Sequence, residues 1–101
     1  MIDLHTHTTH SDGSFSVREL LQEAEKIGLT LLSITDHNKI SAYEELQNPE
    51  IRNLFRGRII TGVELTTTYK GETVEILGYN FDLKKMQAFI DEHVLPSEKS
   101  R

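Results

Sequence analysis

The feature of this sequence that most limits its fold is a recurring pattern, an apolar run that stops at imidazole and carboxylate side chains. Ile2 and Leu4 lead into His5-Thr6-His7, with Ser11-Asp12-Gly13 just beyond. Leu29 to Ile34 leads into Asp36-His37-Asn38, and Ile59-Ile60 into Gly62-Val63-Glu64. Short apolar runs without polar alternation are strands covered on both faces, as in a parallel sheet. Parallel strands carry their functional groups on one shared carboxyl rim. Three strands that each place a histidine or carboxylate there predict a polynuclear metal site.

The segments between the runs agree with this reading. Met1 to His7 reads as a short buried strand and Thr8 to Ser14 as a polar loop. Ser16 and Glu19 form a capping box for a helix whose apolar stripe is Val17, Leu20, Leu21, Ala24 and Ile27, ending at Gly28. Leu29 to Thr35 is a second strand, and strand–helix–strand in so short a span predicts a parallel pair. Ser41 and Glu44 suggest another capping box, and Pro49 starts a turn bearing Ile51, Leu54 and Phe55, stopped by Gly57. Arg58 to Tyr69 reads as a third strand that turns at Lys70-Gly71 and returns as Glu72 to Tyr79. Asp82 caps a last helix carrying Leu83, Met86, Phe89, Ile90 and Val94, ended by Pro96. Residues 97–101 form a polar tail after a single unit spanning 1–96.

Composition restricts the chemistry. With 101 residues the chain is one domain at most, and 37% hydrophobic with 27% charged residues marks it as soluble and globular. It has no cysteine, so any metal is held by imidazole and carboxylate, a donor set that suits zinc, iron or manganese. The formal charge of -5 argues against a sequence-independent grip on a nucleic-acid backbone. A phosphate substrate remains compatible, because bound dications outweigh the protein's charge locally. No signal peptide or membrane-length apolar run is visible, and a cytoplasmic location is the default.

Each cluster also has a plainer reading. His5 and His7, two apart on a strand, point to the same face and can begin a metal site, yet an isolated pair is more often just polar. Asp12-Gly13 is ordinary turn chemistry on its own. Asp36-His37 tells more, since two polar residues closing an apolar strand mark a functional rim. Glu64, flanked by Val63 and Leu65, is costly unless paired or metal-bound. His10 fits a supporting or solvated role, and His93 suits the end of a helix. Glu23, Glu25, Lys26, Glu44 and Glu45 read as solvated helix faces.

Taken together, in this order and spacing, Asp3-Leu4-His5-Thr6-His7, Ser11-Asp12-Gly13, Thr35-Asp36-His37, Gly62-Val63-Glu64 and Ile76-Leu77-Gly78-Tyr79 resemble the PHP domain, named for polymerase and histidinol phosphatase. The resemblance is nearest to the stand-alone phosphoesterases of that family. It implies an α/β fold, the N-terminal part of a distorted (β/α)7 barrel with parallel strands and a β-hairpin, and up to three divalent metals (Zn, Mn or Fe) in a complete domain. By position His5 and His7 would hold the first metal, Glu64 would bridge it to the second, and Asp12 and His37 would hold the third. The implied reaction is hydrolysis of a small phosphorylated substrate, a nucleotide among the choices, by water that the metals activate. No side chain is assigned as the nucleophile.

The chain departs from the family pattern in two places. Where such proteins often carry a histidine before Ile-Leu-Gly-Tyr, this sequence has Glu75. A two-residue turn at Lys70-Gly71 pairs Thr66 with Glu75 and Glu64 with Leu77. Glu75 then shares a face with Glu64, roughly 7–8 Å away between backbones, and can replace the histidine as a ligand. The later histidine and Asp-x-His motif of the family are also missing before Arg101, so this piece alone is expected to be weak or inactive. The bare edge and apolar face of a partial barrel invite self-association. The reading from a different class is a non-catalytic PHP module with a structural or partner-binding role, as in some DNA polymerases.

Overall fold

Nine elements make up the computed structural model, which describes residues 1–93. In chain order they are β1 (Ile2–Thr6), α1 (Val17–Ile27), β2 (Leu31–Ile34), α2 (Ala42–Glu45), α3 (Pro49–Arg52), β3 (Arg58–Ile59), β4 (Gly62–Tyr69), β5 (Glu72–Tyr79) and α4 (Leu83–His93). β1, β2 and β3 form a parallel sheet in that order, and β4 and β5 form an antiparallel hairpin. The tail expected from Ser97, and Val94 and Pro96 of the last helix, lie outside the described residues.

Local chemistry sets the first helix. Ser16 Oγ accepts from Glu19 N while the Glu19 carboxylate accepts from Ser16 N, so both ends of the capping box are made. Gly28 closes the helix at φ 81°, the left-handed conformation that glycine adopts without strain. Val17, Leu20, Leu21 and Ala24 are buried, whereas Ile27 at the end of the expected stripe is half exposed.

Three other expectations need correction. Ser41 makes no cap for α2, because its hydroxyl is engaged by His10. β1 is not buried: Ile2 is 61% exposed, since β1 is the sheet edge and pairs only with β2 among the described residues. The third strand is also not continuous. It breaks between Ile59 and Gly62, leaving β3 in the parallel sheet and β4 in the hairpin.

Tyr43 satisfies the backbone at that break. Its buried hydroxyl donates to Ile34 O at 2.7 Å and accepts from Gly62 N at 2.8 Å, with Ile60 O 3.3 Å away. Burial pushes the phenol above its ordinary value. Gly62 faces Ser33 and Thr35, and a Cβ there would come within 2.2 Å of Ser33 Oγ. Only glycine lets β4 pass so close to β2.

The core lies on one face of the strands. Leu32 and Ile34 of β2 and Val63 and Leu65 of β4 pack there with α1, Tyr43, Ile51, Phe55 and Ile90. The alternating residues Ser33, Thr35, Gly62 and Glu64 occupy the other face. The helices therefore take the apolar side and leave the polar side for the site.

Candidate metal centre

β1 and β2 are parallel, with a register irregularity between Asp3 and Thr6. Such irregularities re-aim side chains at the ends of strands. Here the irregular segment contains His5, and His7 follows directly. Their rings meet edge to face with centroids 5.1 Å apart. Both nitrogens that face inward approach one carboxylate. His5 Nε2 is 2.8 Å and His7 Nε2 3.5 Å from Glu64 Oε1.

Glu64 reaches that point through an extension of β2. Beyond Ile34 the chain keeps a parallel course and forms a β-bridge between His37 and Glu64. Glu64 N donates to Asp36 O, Asn38 N donates to Glu64 O, and the Asn38 side-chain oxygen accepts from Thr66 N. Asn38 adopts φ 55°, a conformation asparagine tolerates better than most residues. This places His37 Nδ1 3.6 Å from Glu64 Oε2. One oxygen of Glu64 thus faces His5 and His7, and the other faces His37.

Glu64 is only 6% exposed. Burial raises its pKa, but the hydrogen bond with His5, the adjoining Glu75 side chain and the charge of the nearby imidazoles outweigh it, holding the carboxyl below its ordinary value. Glu75 lies opposite Thr66, and Glu64 opposite Leu77, as the two-residue turn requires. Lys70 and Gly71 both have positive φ, the conformation of a tight hairpin turn. His37, Glu64 and Glu75 each offer a ligand atom within 4.8 Å of the others.

The loop after β1 brings in Asp12. Its Oδ2 lies 3.2 Å from His37 Nε2 and its Oδ1 3.6 Å from His7 Nδ1, while the His7 and His37 rings stack at 4.6 Å. Asp36 holds that loop. Its carboxylate, 1% exposed, accepts from Thr8 N at 2.6 Å, Thr8 Oγ1 at 2.7 Å and Ser11 Oγ at 2.8 Å. Asp36 is therefore spent on protein donors, and only its neighbour His37 faces the centre. Gly13 completes the loop where a Cβ would collide with His7 O.

The structure brings together the six residues singled out in the sequence: His5, His7, Asp12, His37, Glu64 and Glu75. They form three overlapping triads, His5–His7–Glu64, His7–Asp12–His37 and His37–Glu64–Glu75. His10 stands outside them, its ring bonded to Ser41 Oγ at 2.8 Å and to the Glu45 carboxylate, which ties the loop to α2. Glu45 and Glu25 lie on solvent-accessible faces as expected but are also engaged, Glu25 accepting from Arg56 N and Nε. The anchoring by Asp36, Thr8 and Tyr43 was not read from the sequence. The apolar surroundings of Asp36 were the available signal.

Comparisons with known proteins identify the family of the chain. A family profile described as the PHP domain matches residues 3–95. A 5'-3' exoribonuclease of Haemophilus influenzae is 38% identical over 100 residues, covering 96% of this chain and 35% of that protein. A 3',5'-nucleoside bisphosphate phosphatase of Chromobacterium violaceum is 33% identical over 82 residues, 80% of this chain and 28% of that protein. The crystal structure of a candidate metal-dependent phosphoesterase from Bifidobacterium adolescentis superposes with a TM-score of 0.74 at 26% identity, covering 90% of this chain and 32% of that one. The chain spans about a third of the length of the Haemophilus and Chromobacterium relatives.

Proposed function

The chain belongs to the PHP domain family, and from that membership we propose that it carries the N-terminal ligands of a metal-dependent phosphoesterase. The carrying observation is the divided carboxylate of Glu64, one oxygen turned to His5 and His7 and the other to His37. A buried carboxylate placed between imidazoles on both sides suits a bridge between two dications better than a structural ion pair. The donors fit such ions in a second way. His7 Nδ1 is buried without a hydrogen-bond partner and faces Asp12 Oδ1 at 3.6 Å, an expense that a cation in the His7–Asp12–His37 triad would offset.

On this reading His5, His7 and Glu64 would hold one ion, and Glu64 would share a second with Glu75 and His37, with Asp12 beside the other nitrogen of His37. Zinc, manganese and iron all accept this imidazole and carboxylate set. A dication held there supplies Lewis acidity toward a phosphoryl oxygen and acidifies water. The chain's own part is to fix the donors: β1 orients His5 and His7, the β-bridge sets Glu64 beside His37, and Asp36 holds the Asp12 loop in place.

The substrate we propose is a small phosphorylated molecule, with a nucleotide or the end of an RNA strand as the leading choices. The relatives named above support this, since one is an exoribonuclease and another a nucleoside bisphosphate phosphatase. The net charge of -5 favours recognition through bound cations over a basic surface. Among the described residues no helix is long and apolar enough to cross a membrane.

The test is a chimera in which this chain precedes the C-terminal part of the Haemophilus relative. It is assayed with manganese or zinc on a generic phosphomonoester and phosphodiester, beside the chain alone. Turnover in the chimera that vanishes with His5→Ala/His7→Ala supports the proposal, and the chain alone is expected to be weak. An inactive, well-folded chimera that binds metal would count for the non-catalytic alternative.

A further inference from the structure

The three triads differ in donor chemistry. His5–His7–Glu64 and His7–Asp12–His37 each offer two imidazoles and one carboxylate, whereas His37–Glu64–Glu75 offers one imidazole and two carboxylates. The triads also share members: His7, His37 and Glu64 each belong to two of them. An imidazole normally commits its lone pair to one ion. If His7 joins His5 on the first ion, His37 faces Asp12 through Nε2 and the side of Glu64 Oε2 and Glu75 through Nδ1, so a second ion beside Glu64 and Glu75 meets at most one imidazole. Glu64 can serve both at once, because its two oxygens lie beside different imidazoles. These residues therefore build two unlike corners around one shared carboxylate.

Resting on the metal reading above, we infer that the His37–Glu64–Glu75 corner selects a harder, more oxygen-preferring dication, of the Mn2+ type, than the His5–His7–Glu64 corner. Imidazole donors suit zinc, while carboxylates suit manganese and magnesium. Any such site binds zinc more strongly than manganese in absolute terms, so the prediction concerns the ratio between corners. Glu75 alone makes the difference. Replacing it with histidine would give the second corner the same two imidazoles and one carboxylate as the first.

Position 75 suits a clean test. Glu75 is exposed on β5, opposite Thr66 in a regular hairpin, and its replacement disturbs no buried packing. The measurement titrates metal-free chain with Mn2+ in the presence of an equimolar amount of Zn2+. Bound Mn2+ is followed by electron paramagnetic resonance and bound Zn2+ by elemental analysis. The wild-type chain should hold Zn2+ and Mn2+ together. Glu75→His and Glu75→Gln should keep the Zn2+ but bind Mn2+ at least about tenfold more weakly. Far-UV circular dichroism that matches the wild type confirms that the hairpin persists in each variant. If both variants hold Mn2+ as tightly as the wild type, the inference is overturned while the metal reading stands. If the wild-type chain holds neither ion, the metal reading falls and this inference with it.

Discussion

Asp36 and Thr8 are joined twice, through the Thr8 amide at 2.6 Å and the Thr8 hydroxyl at 2.7 Å. With Ser11 as a third donor, one buried carboxylate fixes the entry of the loop that carries Asp12. Asp36→Asn keeps the shape but turns an amide N–H2 toward groups that already donate. Hydrogen bonds to a buried charge contribute about 1.5–3 kcal/mol each, so a stability loss of about 2–4 kcal/mol is expected in urea unfolding. A loss below about 0.5 kcal/mol would mean that the loop is held by other contacts.

Tyr43→Phe removes one oxygen and strands polar groups at the β3–β4 break. Gly62 N loses its acceptor and Ile34 O its donor inside a closed core. The expected cost is about 1–3 kcal/mol in chemical denaturation. Because the Tyr43 phenol is raised in the folded state, its contribution is present below the ordinary tyrosine value and is lost as pH rises through the folded value. Wild type and Tyr43→Phe should therefore converge in stability at strongly alkaline pH. A difference that stays constant there would contradict the assignment.

Gly62→Ala tests the close approach of β4 to β2. The added methyl meets Ser33 Oγ at 2.2 Å and Thr35 Cγ2 at 2.8 Å. Both are fully buried and neither can retreat freely. Overpacking of this kind costs about 1–3 kcal/mol. Thermal unfolding within about 1 °C of the wild type would show that the strands have more room than the structure gives them.

Glu64 gives the metal-free chain a pH signature. Its carboxyl titrates below its ordinary value in the folded state, so the folded form binds its proton less readily than the unfolded one. Its contribution is therefore complete above the ordinary glutamate value and is lost as pH falls through the lower, folded value. Glu64→Gln should narrow the gap in stability between neutral and acidic pH, read from urea midpoints across that range. An unchanged profile would mean that Glu64 is not held as its partners indicate.

Much of this was legible in the sequence because it depends on local chemistry. The Ser16–Glu19 capping box, the Gly28 stop and the Lys70-Gly71 turn act within a few residues, and the turn alone set the register that puts Glu75 on the face of Glu64. The meeting of His5, His7, His37 and Glu64 followed from the rule that parallel strands share a rim. What the sequence concealed were long-range satisfactions. Nothing near Tyr43 announces that its hydroxyl serves backbone groups 9 and 19 residues away. Asp36 and His37 look alike as rim residues, yet alternation turns them to opposite sides, one into the loop and one into the centre. The exposed β1 differed from expectation because burial of a strand depends on its neighbours, which its own residues do not specify.

The central claim is that His5, His7 and Glu64 bind a divalent metal ion. The most direct measurement is the metal content of the chain purified without chelator and equilibrated with zinc or manganese, compared with His5→Ala/His7→Ala. The account predicts bound metal in the wild-type chain and at least about tenfold weaker binding in the double variant, which loses two imidazoles from one triad. Equal metal content in the two proteins, with both folded, would contradict it.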